Sequence, residues 1–320
     1  MKRVSSMSKL INRIVVGLLL GMIGIPSILL GGWFIIVFTV IALPLAVHEF
    51  TNARPHNRYI LLMHIFIMVM SFSFVYWIFF RNNYSAHQFD FALWSFEEGF
   101  SQLNVSTVGI AILVSVLFLS SILNKNFKVH DATYLNTMII LVAMSFQSFL
   151  FLRFLPQFVY KELNIERPLF FDAALALYVI LSTFMTDIGA YFVGTYFGKN
   201  KLNERVSKRK TWEGFFGGIV ISFVVSITFA FSLDMMGYPI LPFLTLNEWY
   251  WIVLLSAMIP FVSVLGDLLF SMVKREFQIK NFSTLLGEHG GILDRIDSLI
   301  LTSLYTAIMI VILNEGIAAI

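Results

Sequence analysis

Nine apolar runs of about 20 residues succeed one another along this 320-residue chain, and their repetition constrains the fold more than any single motif. A helix needs roughly 20 apolar residues to cross a hydrocarbon core of about 30 Å. The runs fall at about 11–30, 32–49, 59–80, 105–123, 134–155, 170–194, 214–233, 248–270 and 298–318. Charged residues make up only 13% of the chain, against about 25% in an ordinary soluble domain. The fold class that follows is all-α: a polytopic integral membrane protein of about nine transmembrane helices. The chain has no cysteine, which excludes disulfides, thiolate catalysis and cysteine-based metal sites. A net charge of +3 is too small for nucleic-acid binding. The start, Met1–Arg13, is basic, but the apolar run after it is too long for the core of a cleavable signal, so none is expected.

Charge supports the count of nine. With nine spans the loops alternate between two sides, and 18 of the 22 Lys and Arg residues fall on one of them. The other side keeps Arg81, Arg153, Lys161 and Arg167. Positive charge accumulates on the cytoplasmic side, so the N-terminus is expected inside and the C-terminus outside, in a multi-pass protein of the plasma membrane. Gly31-Gly32 separates the first two spans and predicts a tight hairpin, with Pro26 and Pro44 as sites of kinks. Residues 81–104 read as an interfacial loop or a short amphipathic helix. The division expected is 1–165 for N-terminal membrane helices and 166–320 for catalytic ones. The latter carry two charged cytoplasmic loops, 195–213 and 271–297, and a polar cavity open to the cytoplasm.

Three segments carry chemistry. In the first, Asp187 lies near the end of the sixth span, and ionisable groups there face a cavity or a partner. Lys210-Thr211-Trp212-Glu213-Gly214 then opens the seventh span, and a helix N-terminus with Lys, Thr and free N–H groups suits phosphate. The cations from Lys199 to Arg209 read as a positive-inside anchor. In the second, Asp267, Ser271, Lys274 and Arg275 share one helical face; the bland alternative is a structural pair of Asp267 with Ser271 or Arg275. In the third, Asp294 and Asp297 share a face if the last span starts early. Two converging carboxylates suit Mg²⁺ completed by substrate phosphates, whereas the bland alternative is a helix cap. Gly290-Gly291 allows close backbone approach, and His289 is a proton carrier or phosphate donor. His48, His64, His87 and His130 are scattered and receive no role.

The last segments resemble the signature of phosphatidate cytidylyltransferases, through Ser271, Lys274-Arg275, Lys280-Asn281, Ser283, Gly287, His289-Gly290-Gly291, Asp294-Arg295 and Asp297. The resemblance covers roughly 180–300, including Asp187 and Lys210-Thr211-Trp212-Glu213-Gly214; the N-terminal half fits only in being hydrophobic and multi-span. It departs at Asn281, where the family has Asp. In the family that Asp, with the one matching Asp294, is linked to a metal centre; an Asn carbonyl still ligates Mg²⁺ but brings no charge.

The resemblance implies that CTP and phosphatidate give CDP-diacylglycerol and pyrophosphate, with Mg²⁺ and a second, monovalent cation such as K⁺ as cofactors. It implies metal ligation by Asp294, Asn281 and Asp267. Catalytic roles go to Asp294, Lys280, His289, Arg295 and Asp297. Substrate binding goes to Ser271, Lys274, Arg275, Gly290, Gly291, Lys210, Thr211, Glu213 and Asp187. Trp212 is a weak candidate for stacking on cytosine and a better interfacial anchor. Membrane lipids are expected partners, nucleic acid is not, and a homodimer is plausible from the family alone. Three rivals stand beside this reading: a related enzyme acting on another lipid phosphate, a homologue impaired by Asn281, and a transporter using Asp187 and Asp267. The clustering of charge at span ends, away from the midplane, argues against the transporter.

Overall fold

Two consecutive glycines divide the first two helices. α1 (Gly21–Leu30) ends at Gly31 and α2 (Gly32–Thr51) begins at once, with φ of +62° at Gly31 and +51° at Gly32. Only glycine takes that backbone without strain. The expected hairpin turn also has a second cause. A methyl group at Gly31 would overlap the guanidinium of Arg153, which donates to the carbonyls of Ile28 and Leu29. The turn therefore ends α1 and admits a buried cation that satisfies its last carbonyls. Pro44 lies inside α2 without ending it.

The computed structural model describes residues 17–18, 21–54, 59–86, 107–287 and 290–318. After α2 come α3 (Leu61–Ala86), α4 (Thr107–Leu123), α5 (Val129–Glu162), the single turn α6 (Leu169–Asp172) and α7 (Ala174–Phe197). The strands β1 (Lys201–Asn203) and β2 (Ser207–Thr211) precede α8 (Trp212–Met235), α9 (Trp249–Glu276) and α10 (Leu293–Ala318). Among the described residues, α2, α5, α7, α8, α9 and α10 are long and apolar enough to cross a membrane. Shorter apolar helices, Gly21–Leu30, Leu61–Tyr76 and Val108–Leu123, fall at the other expected spans. The segment expected at 81–104 continues α3 as far as Ala86, and its remainder lies outside the described residues.

Within the all-α fold, loop 195–213, where the cations were expected to act as a positive-inside anchor, carries a short antiparallel hairpin, with Lys201 opposite Thr211 and Asn203 opposite Ser207. Val206 in its turn is buried, and the Arg275 side chain donates to the Val206 carbonyl at 3.3 Å. The hairpin is thus fastened to the end of α9.

Small residues set the spacing of α7 and α8. In lipid, helices gain little by hiding apolar surface from one another, so close backbone approach matters more. A Cβ on Gly189 would stand 3.1 Å from Gly218 Cα, and one on Gly218 only 2.6 Å from the Thr186 carbonyl. Farther along the pair, the Ser182 and Ser222 hydroxyls meet at 3.0 Å. The order of these contacts makes α7 and α8 antiparallel. α5 is the central member, with buried Leu135, Ile139, Leu150 and Phe154, and it packs on α2, α3, α4, α7 and α10.

Polar contacts join the helices at both ends. At one, Arg54 pairs with Asp131, and the Tyr134 hydroxyl donates to the Phe50 carbonyl at 3.0 Å. That joins the C-terminal end of α2 to the start of α5. At the other, Arg153 reaches the Asp172 carbonyl, while Tyr160 and Arg167 both donate to the Pro239 carbonyl. Arg153, counted from sequence among the charges of one side although the fifth run extends to residue 155, is 1% exposed inside α5. At that end, outside the long apolar helices, burial pushes the Asp172 carboxyl upward while Arg153 and Arg167 pull it back.

Candidate active site

The site is assembled where α9 and α10 converge. α9 continues well past its apolar stretch to Glu276, and α10 begins at Leu293, early enough to place Asp294 and Asp297 on one face. The helices touch at Gly266, where a Cβ would stand 3.0 Å from the Asp297 carbonyl and 3.2 Å from Ser298 Cα. This closeness carries Lys274, two turns after Gly266, between the two carboxylates: its Nζ is 3.0 Å from Asp294 Oδ1 and 3.5 Å from Asp297 Oδ2. All three side chains are nearly buried, at 10%, 5% and 15% exposure. The Lys274 ammonium also lies 5.5 Å from the centre of the Phe282 ring.

A second ion pair adjoins the first. Lys210, at the end of β2, puts its Nζ 2.6 Å from Asp267 Oδ2, and the Ser271 hydroxyl donates to Asp267 Oδ1 at 3.1 Å. These groups are more open, with side-chain exposures of 25% and 27% for Lys210 and Asp267. Asp187, on α7, is near enough to Asp267, Lys210 and Ser298 to interact with them electrostatically. Asp297 interacts in turn with both Asp267 and Asp187. Lys210 and Lys274 are set against Asp187, Asp267, Asp294 and Asp297, and among these six side chains negative charge is in surplus.

The loop from 277 to 292 is held by two carboxylates. Asp294 Oδ2 accepts from the N–H groups of Phe282 at 2.8 Å and Gly291 at 3.0 Å. Gly290 has φ of +80°, and a Cβ on it would stand 2.7 Å from Asp294 Oδ2 and 3.2 Å from Asn281 Cγ. Asn281 and Asp294 therefore meet around Gly290. The second carboxylate is Glu49, in the last turn of α2 and 2% exposed. Its Oε1 accepts from the Ser283 hydroxyl at 2.8 Å and Ile292 N at 2.9 Å, and its Oε2 from Leu293 N at 2.7 Å. Sequence reasoning missed Glu49. A carboxylate at the end of an apolar run was the available signal, since such a group needs a partner.

Other predicted residues do structural work in this arrangement. Thr211 caps α8, its hydroxyl accepting from Gly214 N at 3.2 Å, and it is buried under Gly194 and Gly198. Glu213 accepts from the backbone and side-chain N–H groups of Asn200, tying the hairpin to α8. Arg275 is committed to the carbonyls of Val206 and Ile279. The N–H of Gly291 points at Asp294, and Glu49 fills the space beside its Cα, so this glycine pair serves carboxylates. Lys280 and Arg295 are exposed at the rim, and Trp212 is about half exposed, stacked on Phe216. His289 lies outside the described residues.

The chain is similar in sequence to known proteins. The phosphatidate cytidylyltransferase of Haemophilus influenzae is 42% identical over 126 residues, which are 39% of this chain and 41% of that protein. That of Pseudomonas aeruginosa is 46% identical over 125 residues, 39% of this chain and 43% of the relative. That of Bacillus subtilis is 30% identical over 202 residues, 63% and 65% respectively. The chain thus aligns with less than two thirds of each of these relatives. The profile of the cytidylyltransferase family, by contrast, matches residues 11–313, from the first apolar run through the Lys274–Asp294–Asp297 centre to the last helix, and the chain belongs to that family.

Proposed function

We propose that this membrane protein transfers a cytidylyl group from CTP to phosphatidate, giving CDP-diacylglycerol and pyrophosphate. The observation that carries the reading is the convergence of Lys274, Asp294, Asp297, Asp267, Lys210 and Asp187 at one end of the apolar helices. In the reaction a phosphate oxygen of the lipid attacks the α-phosphorus of CTP. The bond from that phosphorus to the β-phosphate oxygen breaks, and pyrophosphate leaves. No protein nucleophile is needed, so this chain's task is positioning and charge neutralisation. Lys280 and Arg295, exposed beside the centre, would meet the triphosphate and lipid phosphate first. Lys274 fixes the carboxylates, and Lys210 brings the hairpin's charge against Asp267.

A divalent cation fits the donor set. A surplus of carboxylates repels a triphosphate unless a cation intervenes, and Mg²⁺ is commonly held by one or two carboxylates with substrate phosphates as further ligands. Among the described residues no group of three acidic or histidine side chains is placed to hold a metal ion by itself, so substrate phosphates would supply further ligands. Asp267 and Asp297 would hold it, with Asp294 and Asn281 beside them; Mg²⁺ would supply charge neutralisation on the phosphates. Both oxygens of Asp294 already accept hydrogen bonds, so its part is as much to shape the loop as to ligate. The richly basic site end would face the cytoplasm, the source of CTP, with nine spans in the plasma membrane.

The test is product formation from cytidine-labelled CTP. Label that becomes lipid-extractable with phosphatidate, and not with a polyprenyl phosphate, supports this substrate; label in the polyprenyl product alone contradicts it.

A further inference from the structure

We infer that Glu49 is a positioning residue for the reaction proposed above, acting through the start of α10 although it lies 243 residues before Ile292 in sequence. A helix N-terminus presents unsatisfied N–H groups and a partial positive charge. Here two of those groups, on Ile292 and Leu293, donate to Glu49, and Gly291 N donates to Asp294. Glu49 also takes the Ser283 hydroxyl, which fixes the loop that brings Asn281 to Gly290. The carboxylate occupies the volume where a side chain at Gly291 would begin, so the glycine is a requirement of Glu49. Asp294 and Asp297 lie one and four residues beyond Leu293. Their approach to Lys274 depends on where α10 starts, and Glu49 sets that start. The Tyr134 hydroxyl, bonded to the Phe50 carbonyl, braces the end of α2 that carries Glu49.

The test is a cycle of Glu49→Ala, Gly291→Ala and the double variant, with Glu49→Gln beside it. Supporting groups of this kind commonly cost about 10–100-fold in activity or metal affinity when removed. Glu49→Gln should remain folded, lose kcat on the order of tenfold with KM for CTP little changed, and raise the Mg²⁺ concentration for half-maximal rate. Hydrogen exchange at the Ile292 and Leu293 amides of metal-free protein should quicken in the same variant. Gly291→Ala should be severe alone and mild when Glu49 is already Ala, because the overlap is gone. Unchanged kcat and Mg²⁺ midpoint in folded Glu49→Gln, unchanged exchange, or additive effects in the cycle would overturn the inference. Absence of cytidylyltransfer in the wild-type protein is a different result, counting against the proposed reaction; the exchange and folding arms of the cycle would still judge Glu49.

Discussion

Lys274 and Lys210 are both lysines bonded to aspartates, yet their surroundings give them different consequences. Lys274 is enclosed with Asp294 and Asp297, so removing it strands two nearly buried carboxylates. Breaking such a pair costs on the order of 3–5 kcal/mol. Lys274→Met should therefore lower the thermal midpoint strongly and abolish turnover. Lys210 and Asp267 are each about a quarter exposed, and pairs nearer the surface contribute about 0–1 kcal/mol. Lys210→Ala should leave the melting temperature nearly unchanged while turnover falls, and normal turnover would remove Lys210 from the site. Asn281→Asp adds a charge beside Asp294 and should lower the Mg²⁺ concentration needed for activity; an unmoved Mg²⁺ titration would place residue 281 away from the ion. That Asp294 and Asp297 share a face was legible, because aspartates three apart do so on a helix; that Lys274 lies between them was not. Glu49 was not, because its partners come from the far end of the chain and no local spacing announces them.

Among the elements, α7, the hairpin and α8 form the unit most tightly fixed by geometry. Gly189, Gly194, Gly214 and Gly218 line a contact where a single methyl group meets backbone. Gly218→Ala should destabilise the protein by about 1–3 kcal/mol through overpacking, read as a drop in detergent melting temperature. Thr211→Ala should cost about 1 kcal/mol by loss of the α8 cap, with most turnover kept. A large loss of turnover at unchanged stability would instead give Thr211 a direct part in substrate binding. The sequence read the Lys210–Gly214 segment at the end of this loop as suited to phosphate. In the structure the glycines let α7 and α8 approach closely, and Thr211 and Glu213 also hold the loop through hydrogen bonds. Their hydrogen-bonding capacity was visible in sequence; that neighbours three and 13 residues away consume it was not.

For the whole molecule, the site depends on both halves of the chain. α2 delivers Glu49 to the head of α10, and α5 packs against helices from either half. Hydropathy made the apolar helices legible, since length and composition decide what can cross a bilayer. The charge count gave no sign that Arg153 is buried, because a loop arginine and one that caps α1 read alike in it. The central claim is CTP-dependent chemistry on phosphatidate, and pyrophosphate release by the purified protein in detergent, across a Mg²⁺ titration, tests it most directly. The account predicts release that requires CTP, phosphatidate and Mg²⁺ together. Folded protein that releases no pyrophosphate under any of these conditions, or releases it equally well without phosphatidate, would contradict it.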